Sequence, residues 1–324
     1  MRKKWLSISA GILLALVITG CSNGDAGDVS PSTPSTSSAA SEDTAAPAST
    51  APSADMQKLI LDRFETLLKM QGNEKAVLAE IRQDISQLTP KNADQMILSF
   101  EAYQRDTVKQ GGILSGELVE LIQTTADEPY NEKVLNDLSK ITNTDLKIML
   151  QAVFDRGYKF IVPEGMHEAV IDYSVYRDAA EYASPDIAAY IAIMAMESES
   201  RMSTDAAIIV PIDAVLVRAE ASEAFLKAYP DSVKFEQIAE RYMIYADAYF
   251  FGQDNTPAFD YSTNKLDQEF LDSYQKAMSG DSDSAIVKSL GDYLKILKDN
   301  DYTLTNTVTD YRKTMTDALK YTAS

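Results

Sequence analysis

From Met56 onward, apolar residues recur at helical spacing along almost the whole chain, and no run of Val, Ile and Thr bounded by hairpin turns interrupts them. A period of 3.6 residues places such positions on one face of a helix, and that face must be buried against a neighbour. Met56, Leu59, Ile60, Phe64, Leu67 and Leu68 share one face, which Gly72 ends; Asn73 then caps a second helix carrying Val77, Leu78, Ile81, Ile85 and Leu88 as far as Pro90. A third runs from Asn92 through Met96, Ile97, Phe100 and Tyr103 to the Gly111-Gly112 break. Leu114 to Ile122 make a short fourth, Asn131 opens a fifth, and a sixth closes at Gly157, where a left-handed cap belongs.

Residues 158 to 165 resist this period. Tyr158, Phe160 and Val162 alternate and a Pro163-Glu164-Gly165 turn follows, so the stretch reads as an extended connector and a candidate sub-domain boundary. Tyr173, Tyr176 and Tyr182 mark a seventh helix, and Ser184-Pro185 starts the next. Residues 187 to 196 are nearly all apolar, which a surface helix cannot be, so they form the central buried helix. Ser203-Thr204-Asp205 opens a further apolar run broken at Pro211; helices over 213–229 and 231–251 flank Pro230, and three more follow the loop 252–262. The expected fold is all-α, an irregular multi-helix bundle or helical array of about a dozen short helices over residues 56–324.

The first residues tell of location. Arg2, Lys3 and Lys4 precede an apolar run from Trp5 to Ile18, the order of a secretory signal; the run is shorter than the roughly 20 residues of a spanning helix. Ile18-Thr19-Gly20-Cys21 resembles the lipobox of bacterial lipoproteins, and the resemblance ends there. It implies cleavage between Gly20 and Cys21 and lipidation of the Cys21 thiol, which anchors the chain on the outer side of the cell membrane. At about 0.8 kcal/mol per buried methylene, two acyl chains hold with on the order of 20 kcal/mol. Residues 21–55 are then a tether dense in Ser, Thr, Ala and Pro, with nothing to offset the entropy of ordering and a mean span of roughly 30 Å.

Loss of three cations with the signal takes the formal net charge from −19 to −22. Such a body is repelled by nucleic acid and by anionic head groups; an envelope protein or the cell-wall glycan is a candidate partner, and no oligomeric state is fixed. Cys21 is the only cysteine, so the folded part has no disulfide and stands on its core.

Few motifs carry chemistry. Strands and helices do not alternate, as the parallel-sheet solute-binding proteins of transporters require. Phe225-Leu226 with Tyr229-Pro230 and Ser232 resembles the junction of tetratricopeptide arrays, but Asn264 stands about 34 residues after Pro230, where a repeat would place a second proline. Ser262-Thr263-Asn264-Lys265 matches the S-x-x-K string of penicillin-recognising enzymes without their K-T-G strand, which leaves Thr263 as a helix cap. His167 is the sole histidine, and neither a metal site nor a cofactor is expected.

Two candidate sites follow. The apolar segment ending in Glu197-Ser198 resembles the catalytic helix of lytic transglycosylases. That likeness implies Glu197 as general acid and base on a glycosidic bond, although the Gly-Leu-Met-Gln string of that family does not follow. Tyr242, Tyr245 and Tyr249 share a helix face, with Tyr261 after the loop, and could form a binding platform; core packing of the same face is the competing explanation. The expected function is a lipid-anchored helical binding or scaffold module without a cofactor, with a glycan-cleaving enzyme built on Glu197 as the alternative.

Overall fold

The computed structural model describes residues 53–125 and 131–321. The signal, the lipidation site at Gly20 and Cys21 and the tether up to residue 52 lie outside the described residues. Ser53 is already a cap: its hydroxyl accepts from the Met56 amide at 3.2 Å, so the first helix begins at Ala54, two residues before the expected start of the folded part at Met56.

Thirteen α-helices lie among the described residues. Helices α1 (Ala54–Leu68), α2 (Glu74–Asp84) and α3 (Pro90–Lys109) pack on one another, with Pro90 in the first turn of α3 where its missing N–H costs nothing. Helices α4 (Gly116–Thr124), α5 (Glu132–Leu135) and α6 (Thr144–Asp155) follow, and Gly157 leaves α6 at φ +83°. The chain then turns into β1 (Tyr158–Ile161) and β2 (Glu168–Ile171), which pair antiparallel with Lys159 opposite Val170 and Ile161 opposite Glu168. The expected connector is thus one arm of a β-hairpin. Its partner strand, Glu-Ala-Val-Ile, is too short to announce itself by alternation.

A 3₁₀ turn over Tyr173–Tyr176 leads to α7 (Arg177–Ala180), so the seventh helix is shorter and tighter than its tyrosine spacing predicts. Helix α8 (Pro185–Glu199) is central, as its composition requires: Ile187, Tyr190, Ile191, Ile193, Met194 and Ala195 are all buried. Next come β3 (Ser203–Thr204) and β4 (Ala207–Ile208), joined at Asp205 and Ala206, both at positive φ (50° and 54°), as a two-residue turn with the right twist demands. Helices α9 (Ile212–Ala228) and α10 (Phe235–Phe251) pack along each other; β5 (Gly252–Gln253) and β6 (Thr256–Pro257) form a third hairpin; and α11 (Gln268–Met278), α12 (Ala285–Asp299) and α13 (Asn306–Ala318) close the array. Asp267 caps α11, accepting from the Glu269 amide at 2.8 Å. Thr263 lies before that cap, in a loop gathered around Asp260, to which its amide donates at 2.8 Å.

The fold is all-α with three two-stranded ribbons. Its main core joins α1–α3 with α7–α13, while a smaller core from Ile113 to Ala169 lies under α4–α6 and the inner face of the first hairpin. Ile171 touches both clusters. All described residues belong to one compact unit, and none of their helices is long and apolar enough to cross a membrane.

Candidate functional site

The strand alternation of the first hairpin sets one wall of a cavity. Tyr158 and Phe160 point into the smaller core, so Lys159 and Ile161 face the other way, and the cross-strand partner of Lys159, Val170, lies with them. Three helices complete the cavity by residues one or two turns apart: Arg105 and Val108 on α3, Met194 and Glu197 on α8, and Gln237 and Arg241 on α10. The cavity is open to solvent on one side, and its volume is about 430 Å³. Sites for small organic molecules have this size and this mixture of apolar wall and sparse polar groups.

Four cations line the cavity: Arg105, Lys159, Arg201 and Arg241. Glu197 is the one carboxylate among them, and it is occupied: its Oε1 accepts from the Met202 amide at 3.0 Å, and its Oε2 accepts from Arg218 Nε at 3.3 Å and from the Tyr245 hydroxyl at 3.1 Å. Burial pushes the Tyr245 hydroxyl up to about 12, and the Glu197 carboxylate beside it adds to that, so Tyr245 stays a donor. Arg241 Nη1 in turn donates to the Tyr245 oxygen at 3.4 Å, which makes a chain from Arg241 through Tyr245 to Glu197.

The cations are unequally matched. Arg105 donates to Glu101 at 2.6 Å and Arg201 Nη2 to Glu132 at 2.7 Å. Lys159 donates to the Ser198 carbonyl at 2.6 Å, and neither it nor Arg241 has an ion-pair partner among the described residues. Arg201 Nε is buried and finds no acceptor among the described residues.

Behind the cavity, Glu101 fixes three of its walls to one another. It is 1 % exposed, yet it accepts from Tyr173 at 2.7 Å, from Lys234 Nζ at 2.7 Å, from Arg105 and from the Tyr190 hydroxyl. Burial alone raises its carboxyl; the Lys234 ammonium and the two tyrosine hydroxyls outweigh that and hold it below its ordinary value. The same burial lowers Lys234, against the pull of Glu101. A charged group this deep is tolerated only when fully partnered, and the partnering sets α3, α8 and α10 at fixed distances.

Glu197 therefore belongs to the cavity wall as an acceptor with three donors. Tyr242, Tyr245 and Tyr249 are 0 %, 2 % and 0 % exposed, so the face they share is turned to the core; the Tyr245 hydroxyl reaches Glu197 of the cavity wall, and that of Tyr249 meets Ser273. Tyr242 packs edge-on to Tyr321, and Tyr249 packs edge-on to Phe250 and Tyr274. Tyr261 stands apart from them, exposed, with its hydroxyl on the Asp254 carbonyl at 3.0 Å. The residues that the sequence did not single out are the cations, scattered between positions 105 and 241, each indistinguishable alone from a solvated surface charge. One signal was present: Arg241 precedes Tyr245 by one turn of α10.

Among the described residues no three His, Cys, Asp or Glu side chains are grouped to hold a metal ion. Comparison of the chain with models of protein families, with curated proteins and with solved structures returns no match.

Proposed function

We propose that this chain is a lipid-anchored, extracytoplasmic binding module, and that its binding site is the cavity between α3, the first hairpin, α8 and α10. One observation carries the reading. A cavity of about 430 Å³ is backed by a satisfied polar network, while its front keeps unmatched hydrogen-bond capacity at Lys159 and Arg241. A site whose supports are rigid and whose front is unsaturated is built to take something in. The lipobox-like string ending at Cys21 supports the anchor, which would hold this site within a tether's length of the membrane.

For the alternative, a glycan-cleaving enzyme, Glu197 must deliver a proton to a glycosidic oxygen, and a second carboxylate or an activated water must stand across from it. No second carboxylate lines the cavity, and both Glu197 oxygens already accept hydrogen bonds, one from a guanidinium. Binding is the better-supported activity.

The test is ligand-linked stability. A ligand at a hundred times its Kd stabilises the folded state by about 2.7 kcal/mol. A small-molecule extract of the host envelope should raise the Tm of the full-length protein and leave that of Val170→Trp, whose indole fills the cavity, unmoved; equal shifts in both proteins would contradict the reading.

A further inference from the structure

The charge of the cavity runs against the charge of the molecule. The whole chain carries a formal −19, yet four cations and one carboxylate line this one depression, and that carboxylate is held by Arg218 from behind. Chance would put acidic residues here. The apolar part of the lining is just as specific: Ile161 and Val170 from the hairpin, Val108 from α3 and Met194 from α8 offer a dry surface that an inorganic ion cannot use. On this ground, and resting on the reading of the cavity as a binding site, we infer that the ligand is a small organic acid: an apolar aliphatic or aromatic body ending in a carboxylate or another singly charged acid group.

The seat of the acid group follows from what each cation is already doing. Arg105 is committed to Glu101, and Arg201 holds Glu132 with one nitrogen while its buried Nε has no acceptor among the described residues. Among the described residues Arg241 has a neutral hydroxyl as its one hydrogen-bond partner, at 3.4 Å, and Lys159 a backbone carbonyl. A guanidinium presents two parallel N–H groups that match a carboxylate edge, and an ammonium adds a point charge beside it. Arg241 is therefore the primary anchor and Lys159 the second. The apolar body then lies on the hairpin wall.

The surrounding field sets the limit of size and charge. A strongly acidic protein repels polyanions over about 8 Å at physiological salt and beyond that at lower salt. A singly charged acid pays little of that repulsion and gains the whole local attraction, whereas nucleic acid or a polyphosphate does not.

Isothermal titration of the full-length protein, in nonionic detergent with matched blanks, decides this with octanoate and 2-naphthoate against their primary amides and against inorganic phosphate. At least one acid should bind one to one, its amide at least about tenfold more weakly, and phosphate not measurably. Arg241→Gln, which breaks no ion pair, should weaken the acid at least about tenfold with the Tm kept, and Lys159→Met should weaken it to a lesser degree. If amides bind as tightly as acids and Val170→Trp abolishes both, the acid assignment fails while the binding site stands. If phosphate binds alone, the apolar body is wrong. If nothing in the panel binds, or binding survives both Val170→Trp and Arg241→Gln, the inference and the reading beneath it fall together.

Discussion

The guanidinium of Arg218 and the carboxylate of Glu197 meet at 3.3 Å with the arginine side chain only 5 % exposed, so a glutamate that looks catalytic from its place at the end of an apolar helix is the counter-charge of a buried cation. Arg218 also donates to the Ala214 carbonyl at 2.8 Å and to the Ser200 carbonyl at 2.5 Å, which ties the end of α8 to the start of α9. Glu197→Gln keeps an acceptor but removes the charge. It should lower unfolding stability in urea by about 2 kcal/mol, within the range for a hydrogen bond to a charged group. A variant as stable as the wild type, with a loss of glycan cleavage, would restore the enzyme alternative.

Glu101 gives a pH signature. Its carboxyl lies below its ordinary value in the folded state, so it contributes stability above the unfolded range, and that contribution is lost as pH falls through the folded value. The wild type should therefore lose stability from about pH 4.5 downward more steeply than Glu101→Gln. At neutral pH the variant should be less stable by about 3 kcal/mol, because Lys234 is left buried without its anion. Urea midpoints of the two proteins between pH 3 and pH 7, on the order of the carboxylate titration range, measure both effects.

Tyr245→Ala separates core from platform. The side chain is 2 % exposed, and truncating a buried aromatic costs about 3–5 kcal/mol. Tyr245→Phe keeps the ring and removes only the hydroxyl between Arg241 and Glu197, so it should cost about 1 kcal/mol. Denaturation curves for the pair should differ by about 2–4 kcal/mol; equal stability of Tyr245→Ala and wild type would put the ring on a surface.

Gly252 is irreplaceable for backbone reasons. It leaves α10 at φ 72° and ψ −160°, a region open essentially to glycine alone, and a Cβ there would stand 2.3 Å from the Thr256 carbonyl oxygen and 2.5 Å from the Ala258 nitrogen. Gly252→Ala should destabilise by at least about 2 kcal/mol and open the β5–β6 hairpin. Loss of amide protection confined to residues near 252–258 would be the signature in hydrogen exchange.

The anchor has its own test. Cys21→Ala should appear in the culture medium, and the wild type should take up labelled palmitate; retention of the variant on cells would count against lipidation.

The helices were legible because burying one face is a periodic demand, and α8 was legible as central because it is apolar all round. The hairpins were not. A two-residue turn at Asp205-Ala206 lacks the glycine that usually marks positive φ, and strands of two to four residues are too short to show alternation. Glu197 was found from the apolar helix it terminates, but its role is set by Arg218 and Tyr245, which lie 21 and 48 residues further on and which no local pattern pairs with it. Lys159 shows the same limit: it lies between the alternating Tyr158 and Phe160, but only the packing of α8 and α10 makes its face of the hairpin a cavity wall.

Native mass spectrometry of the full-length protein, purified gently from producing cells, tests the central claim most directly. The account predicts a small acidic molecule retained at one copy per chain in the wild type and missing from both Arg241→Gln and Val170→Trp. A wild-type spectrum without any adduct, or an adduct that both variants keep, would contradict it.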